Sequence, residues 1–497
     1  MVRNKKRLIH IHPNDTVAVA LQAMEAGESA QVNGRTVTVT EAIPAGHKVA
    51  LQSIQEGDCI IKYGASIGLA QQAIAEGAWV HEHNLRSALT KHQEYSYCAN
   101  NAPHLEKKGL YFDGFLRDDG TVGTRNEIWI LPLVGCINNV VQELAQRAQT
   151  LIRGGLEGIY AFPHPYGCSQ LGDDLAATRR ILAALSRHGN AGGVLVVGLG
   201  CENNTMEQFQ AELGTWDPRR VKFLLCQQEE DELAAGQELL SQLAEYVSLC
   251  HREAIPISKL IVGLKCGGSD GLSGVTANPL LGRFCDTLTA YGGTAVLSEV
   301  PEMFGAEQLL LSRCADKTVF TEAADMINNF KAYFVAHGQG VGDNPSPGNH
   351  AGGITTLEEK SLGNVQKGGS STVTDVLDYG QQVKRHGLTL LYGPGNDQVS
   401  CTALTAAGAQ IILFTTGRGT PFGAPVPTVK IASNTALYEK KRRWIDMDAA
   451  ALTLSGDTDT ADRALLDLVL ETASGKQTKA EEMCAREIVI FKNGVTL

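Results

Sequence analysis

The segment WVHEHN carries the sharpest local chemistry in the chain, with His81 and His83 two residues apart. On a β-strand alternate side chains share a face, so this spacing predicts two imidazoles presented together. Paired imidazoles suit a divalent metal such as iron, zinc, nickel or copper. Such a pair needs a third ligand, and His12 lies in the same stretch of chain. His47 is a candidate general base, since imidazole titrates near neutrality. Lys62, in IIKYG, offers a cation for a substrate carboxylate. The plainer alternative is a solvated His-x-His on an edge strand. On the strand reading Glu82 points the other way, into solvent.

Four cysteines form a second pattern. Cys136 in LPLVGCINN, Cys168 in PHPYGCSQ, Cys201 in VVGLGCENN and Cys266 in GLKCGGSDG each follow a short apolar run. Thiolates at strand ends can converge on iron or an iron–sulfur cluster. The alternative is that cysteine, small and readily buried, simply fits tight turns. The chain has 12 cysteines and no CxxC pair, so free thiols or metal ligation are favoured over a zinc ribbon. The same junctions hold His164, Asn203 and Asp270. In GRGTPFG, Gly417 and Gly419 predict a backbone nest for a carboxylate, with Arg418 as a bidentate clamp. The loop GLGCENN lacks the third glycine of a dinucleotide fingerprint, and no GxxxxGK[ST] occurs, which argues against an NAD-dependent dehydrogenase or nucleotide triphosphate chemistry.

These residues need elements to hold them. The first ~95 residues alternate in short β-like runs, with Asn33-Gly34 in VNGRTVTVTEAI as hairpin chemistry. Residues 96–110 are polar and aperiodic and read as a linker. Beyond them, apolar runs such as IWILPLVG and GGVLVVGLG alternate with helix-patterned segments such as DDLAATRRILAALSRH. That alternation predicts an α/β fold with mainly parallel sheets. The expected division is a β-rich domain over 1–95, an α/β domain over 111–255 and a second α/β domain over 256–497.

The formal net charge of −11 argues against nucleic acid as a partner. No apolar run approaches the ~20 residues of a membrane span, and no secretion signal is read at the start of the chain. A cytoplasmic protein and a homodimer, the commonest soluble oligomer, are expected.

Several long strings resemble the altronate and galactarate dehydratase family. They include DDGTVGTRNEIWILPLVGC, PHPYGCSQLGDD, CGGSDGLSGVTANPLLGRF, SEVPEMFGAEQLL, NPSPGNHAGGITTLEEKSLG, GPGNDQVSCTAL and TTGRGTPFGAPVPTVKIASN. The segment IKYGASIGLAQQAIAEGAWVHEHNLRS is similar to the family's small SAF-type N-terminal domain. The resemblance covers nearly the whole chain and leans to the altronate branch. It implies a hydro-lyase converting D-altronate to 2-dehydro-3-deoxy-D-gluconate in hexuronate degradation. It also implies a divalent metal, with Fe2+ expected and Mn2+ as a substitute.

That reaction requires a base for the weakly acidic C2 proton, cations for the resulting aci-carboxylate, and help for the departing C3 hydroxyl. His47 and His164 are the candidate bases. Lys62, Arg125 and Arg418 are candidates for the carboxylate, and Asp270 and Asn203 for the sugar hydroxyls. Metal is expected at His81, His83 and His12, or else at Cys136, Cys168, Cys201 and Cys266. A sugar-acid-binding module without turnover, and a related lyase expelling sulfite, are the competing readings.

Overall fold

A computed structural model describes residues 6–89, 94–97, 107–494 and 496. Most of the stretch read as a linker lies outside the described residues.

The N-terminal unit is built from short antiparallel strands. One sheet runs Leu8–Ile9, β1 (Val17–Ala20), β2 (Lys48–Ala50) and Trp79–Val80 in that order. A second joins β3 (Cys59–Lys62), β4 (Ala65–Ala70) and Leu85–Arg86. Asn33 and Gly34 have φ of 49° and 79° between paired strands, the left-handed pair that a tight hairpin demands. Tyr63 and Gly64 (60° and 76°) repeat it between β3 and β4, with a tyrosine where glycine or asparagine is usual.

The middle unit has a four-stranded parallel sheet. Its strands are β5 (Glu127–Pro132), β6 (Gly158–Ala161), β7 (Ala191–Gly198) and β8 (Val221–Leu225), in spatial order β6-β5-β7-β8. Every residue of β5 and β7 is buried, which explains why they read as continuous apolar runs. One face packs on helices Asn138–Ala148 and Glu232–Ser248. The other face shares a core with the C-terminal unit through Trp129, Val194, Leu404 and Phe414.

The C-terminal unit is a seven-stranded parallel sheet. Its strands are β9 (Ile261–Cys266), β10 (Thr294–Leu297), β11 (Val373–Leu377), β12 (Gly387–Leu391), β13 (Ile411–Thr416), β14 (Thr428–Ala432) and β15 (Met447–Asp448). The spatial order is β11-β12-β10-β9-β13-β14-β15. The chain therefore winds outward from β9 on one side and returns to β13 on the other. That reversal opens a crevice at the carboxyl ends of β9 and β13.

Arg125 joins the middle unit to the tail of the chain. Its guanidinium donates to both oxygens of Glu481 (2.8 and 3.0 Å) and to the carbonyls of Thr124, Thr472 and Lys476. All its donor directions are filled by protein, so it does not hold substrate as the sequence suggested. Arg486 makes a parallel bridge to Glu127 at 2.8 Å. Replacing Arg125 with Met leaves Glu481 a buried carboxylate with less compensation. We expect a loss of ~3–5 kcal/mol in stability, read as a lowered midpoint in urea unfolding of the full chain; an unchanged midpoint would refute the staple.

Candidate active site

The crevice is walled by loops whose backbones satisfy one another. The amides of Gly417 and Arg418 both donate to the Gly268 carbonyl at 3.0 Å, and Gly419 donates to Thr416 Oγ1 at 2.8 Å. The nest predicted for a substrate carboxylate is thus already occupied by protein acceptors. Arg418 is exposed at the rim. A Cβ at Gly417 would lie 2.3 Å from Asp270 Cγ, so only glycine lets the two loops meet there. Asp270 is a latch rather than a ligand for sugar hydroxyls. Its Oδ1 accepts from Ser273 (2.8 Å), Ser433 (2.7 Å) and the Leu272 amide, and its Oδ2 from Asn434 (2.9 Å).

A cavity of about 510 Å³ opens beside these loops, lined by Cys266, Glu302, Lys360, Asn396 and Asp397 on its polar side and by Phe330, Phe334 and Phe491 on its apolar side. Its floor is a fully buried charge cluster. Glu299 adopts left-handed backbone (φ 69°, ψ 50°), a strained state for a residue with a Cβ. Its carboxylate bridges two ammonium groups, Lys265 and Lys367, the latter at 2.6 Å. Lys265 also pairs with Asp397 at 2.9 Å. Asp397 opens the helix Asp397–Ala406, which Asn396 caps through the Val399 amide. Burial opposes charge on Lys265, but the Asp397 and Glu299 carboxylates hold it protonated, well above its ordinary value.

Glu302 is the reactive-looking member. Lys360 bonds its Oε1 at 3.0 Å, while Oε2 has no hydrogen-bond partner among the described residues. Burial pushes the Glu302 carboxyl above its ordinary value, against the pull of Lys360. Lys360 is held in place by the amide oxygens of Asn344 (3.0 Å) and Asn349 (3.1 Å). The Cys266 thiol bonds Ser269 at 2.6 Å, and burial pushes its pKa up, so it stays protonated. A second cavity, about 780 Å³, shares Asn396 and Asp397 and continues past Thr420 and Phe422.

The N-terminal unit closes on this region through helix Leu357–Asn364. Glu359 accepts from Lys48 at 2.8 Å and from Lys62 at 2.7 Å. Burial works against this carboxylate, but the two ammoniums outweigh it and hold its pKa at about 2. Lys62 is therefore committed to Glu359 and buried, not presented to a substrate. Lys48 also donates to the Gly353 carbonyl and Thr355 Oγ1, each at 2.8 Å. His81 Nδ1 lies 2.9 Å from the same hydroxyl. Burial, with Lys48 nearby, pulls His81 down to about 3, so its ring is neutral. His47 is buried too, with Nδ1 accepting from Trp79 Nε1 at 3.1 Å, and burial depresses it.

The predicted histidine strand is corrected here. The strand ends at Val80, and His81–Asn84 is a turn in which the Asn84 side chain takes the His81 amide hydrogen at 2.9 Å. The alternation rule therefore stops before it reaches His83. Trp79 stands between the rings, stacked on His81 and tilted against His83, which is exposed. His12 is also exposed, accepting from the Asn14 amide and facing Gly64. Glu82, read as solvated, instead lies 3.6 Å from His81 Nε2 and 3.3 Å from His350 Nδ1. Glu82 and His350 border a cavity of about 250 Å³.

The other sequence candidates sit elsewhere. His164 is buried in the middle unit, with Nε2 on the Pro132 carbonyl (2.7 Å) and Nδ1 accepting the Tyr166 amide. Both nitrogens are used, and burial pulls it down to about 4, which suits a structural role. Asn203 accepts the Ser169 amide at 2.8 Å. Cys136, Cys168 and Cys201 are exposed after β5, β6 and β7, on loops tied by Gly135–Tyr166 and Asn204–Gly167 backbone bonds. Cys266 is buried at the end of β9, in the other sheet. Among the described residues no group of three or more His, Cys, Asp or Glu side chains is placed to hold a metal ion. The sequence reading missed Glu299, Glu302, Lys360, Lys367 and Asp397. They lie inside or beside the strings SEVPEMFG, TLEEKSLG and GPGNDQ, where charged residues sit among glycines, prolines and apolar residues.

Three family models cover the chain. They are the altronate/galactarate dehydratase SAF domain over residues 6–88, the D-galactarate dehydratase/altronate hydrolase second domain over 114–248, and the D-galactarate/altronate dehydratase C-terminal domain over 257–496. The chain belongs to the D-galactarate/altronate dehydratase family. It is 50% identical over 493 residues to altronate dehydratase of Escherichia coli (strain K12), covering 98% of this chain and 99% of that protein. The altronate dehydratase of Bacillus subtilis (strain 168) is also 50% identical, over 99% of this chain and 100% of its own. Galactarate dehydratase (L-threo-forming) of E. coli is 34% identical, over 94% and 93%. Membership makes the chain an enzyme of the hydro-lyase class. Within the family frame, the crevice falls in the C-terminal domain and His81 in the SAF domain. Among the described residues no helix is long and apolar enough to cross a membrane.

Glu359 makes the docking of the SAF domain pH-sensitive. Its folded pKa is below the ordinary carboxylate value of 4.5, so its contribution is complete above that value. It is lost as pH falls from there toward about 2, and amounts to roughly 3 kcal/mol. Limited proteolysis across that window should release the N-terminal domain first. Glu359→Gln should show the same release at neutral pH; equal resistance to protease in both proteins would sink the claim.

Proposed function

We propose that this chain dehydrates D-altronate to 2-dehydro-3-deoxy-D-gluconate, in the cytoplasm, with divalent iron. The observation that carries the substrate is the level and extent of the match. Two altronate dehydratases are 50% identical end to end, against 34% for the galactarate enzyme. The adjoining cavities of about 510 and 780 Å³ supply room for an open six-carbon acid.

In this reading Glu302 is the base that takes the C2 proton. Its carboxyl, raised by burial, approaches the basicity such a step needs. Lys360, fixed by two asparagine oxygens and paired with Glu302 at 3.0 Å, supplies positive charge beside the substrate carboxylate as negative charge develops on it. Asp397, oriented by Lys265, and Asn396 accept hydrogen bonds from the polyol chain. The apolar wall of Phe330, Phe334 and Phe491 limits water around the developing charge. The C3–O bond breaks as the C2 proton is taken; the departing hydroxide and a proton leave as water, and the resulting enol relaxes to the 2-keto acid. No described group of three His, Cys, Asp or Glu side chains is placed to hold the iron ion, so no step is assigned to it.

The experiment is an anaerobic assay with Fe(II), comparing D-altronate with galactarate for 2-keto-3-deoxy acid. Turnover of altronate well above galactarate supports the reading; turnover of neither by folded, iron-loaded protein overturns it. Glu302→Gln should lower kcat by ~10²–10⁴ with little change in KM. A base must be ionised, so kcat/KM should fall as pH drops through the Glu302 pKa. That acid limb should lie above the ordinary carboxylate range and vanish in the Gln variant. A Gln variant with near-normal kcat would remove Glu302 from this role.

A further inference from the structure

We infer that a cavity at the junction of the middle and C-terminal units, at the strand ends opposite the crevice, binds a small phosphate-bearing molecule. The cavity encloses about 230 Å³. Its walls are the segments that lead into the strands. Ser258 and Lys259 precede β9, residues 383–386 precede β12, Gln410 precedes β13, and residues 187–189 precede β7. The crevice lies where β9 and β13 end, so the two places share strands but no lining residue.

Charge identifies the ligand class. Arg187, Lys259, Lys384 and Arg385 all line the cavity, and no Asp or Glu does. The chain carries 54 acidic and 43 basic residues, so a recess lined by cations alone runs against its composition. Buried cations elsewhere are matched, with Lys62 on Glu359, Lys331 on Glu307 and Arg486 on Glu127. Here they are not. Among the described residues neither the Lys259 nor the Lys384 ammonium takes part in an ion pair or hydrogen bond. Arg187 donates through Nη2 alone, to the Glu212 and Leu213 carbonyls at 2.7 Å each, which leaves Nε and Nη1 without acceptors among the described residues. Arg385 makes one long bond, 3.3 Å, to the Thr374 carbonyl. Burial disfavours the charge on Arg187 and lowers its pKa, a penalty that a bound anion offsets.

Four like charges gathered around one recess repel, and an anion with more than one charge relieves them together. Phosphate offers up to two charges and oxygens in several directions, which guanidinium forks match in pairs. The volume falls below the ~300 Å³ at which pockets for larger organic ligands begin, so the molecule is small. His188 adds shape rather than charge, since its Nε2 meets the Ala409 carbonyl and its Nδ1 accepts the Asn190 amide, both at 3.1 Å. Because both units line the cavity, an occupied site ties them together beside the Arg125 and Arg486 bridges.

The test is a thermal melt of the full-length protein, read without substrate, in inorganic phosphate, in succinate and in sodium chloride at matched ionic strength. We expect phosphate to raise the melting temperature saturably above the chloride curve, as a ligand of the folded state does, and succinate to follow chloride. Lys259→Glu with Lys384→Glu replaces two exposed side chains, so this double variant should fold by circular dichroism and lose the phosphate increment. Lys317→Glu, at an exposed lysine outside the cavity, should keep it. Titration calorimetry of Lys384→Ala, a truncation rather than a charge reversal, gives a second reading: phosphate affinity should fall ~10-fold for one lost charged hydrogen bond. No increment over chloride in the wild type, an increment kept by the folded double variant, unchanged affinity in Lys384→Ala, or an equal increment from succinate would each overturn the phosphate site. None of these readings involves turnover, so the outcome is independent of which sugar acid the enzyme dehydrates.

Discussion

Three consecutive residues of one short helix, Glu358, Glu359 and Lys360, hold the site together. Residues on a helix turn by about 100° each, so neighbours face different partners. Glu358 takes the Ser87 hydroxyl and the Ala88 amide of the N-terminal unit. Glu359 sits between Lys48 and Lys62 of the same unit. Lys360 turns into the crevice and bonds Glu302. The helix thus couples docking of the SAF domain to placement of the ammonium beside the proposed base. Removing one buried partner from such a network strands the others without water, which makes the coupling costly to break.

The crevice depends on a second balance of charge. Glu299 is strained in its backbone, buried, and neutralised by Lys265 and Lys367. Lys265 in turn fixes Asp397 at the start of its helix. The cluster contributes orientation rather than direct chemistry, since its central groups are shielded from any ligand. Glu302 and Lys360 lie just above it, paired through one carboxylate oxygen and leaving the other without a partner. A single ordered layer of charge therefore separates the groups that react from the groups that position them.

The sequence exposed elements where periodicity is strong. The Asn33-Gly34 hairpin, the buried runs of β5 and β7, and the alternation that gives parallel sheets follow from local rules. It misjudged polar residues whose partners are distant in the chain. Lys62 meets Glu359 across 297 positions, and Arg125 meets Glu481 across 356. Cations that look available in the chain are spent on such pairs. His164 and Asp270 were named for their chemistry, yet each satisfies nearby loops. The reverse error concerns Glu82, whose place beside His81 follows from a turn beginning one residue after the strand.

What the sequence by itself determined is the family, because long strings of unusual composition survive as strings, and the fold class, because burial period is a local property. Only the tertiary structure decided which ionisable groups face a cavity. That choice depends on desolvation and on partners contributed by other domains, and neither is written in the spacing of residues along the chain.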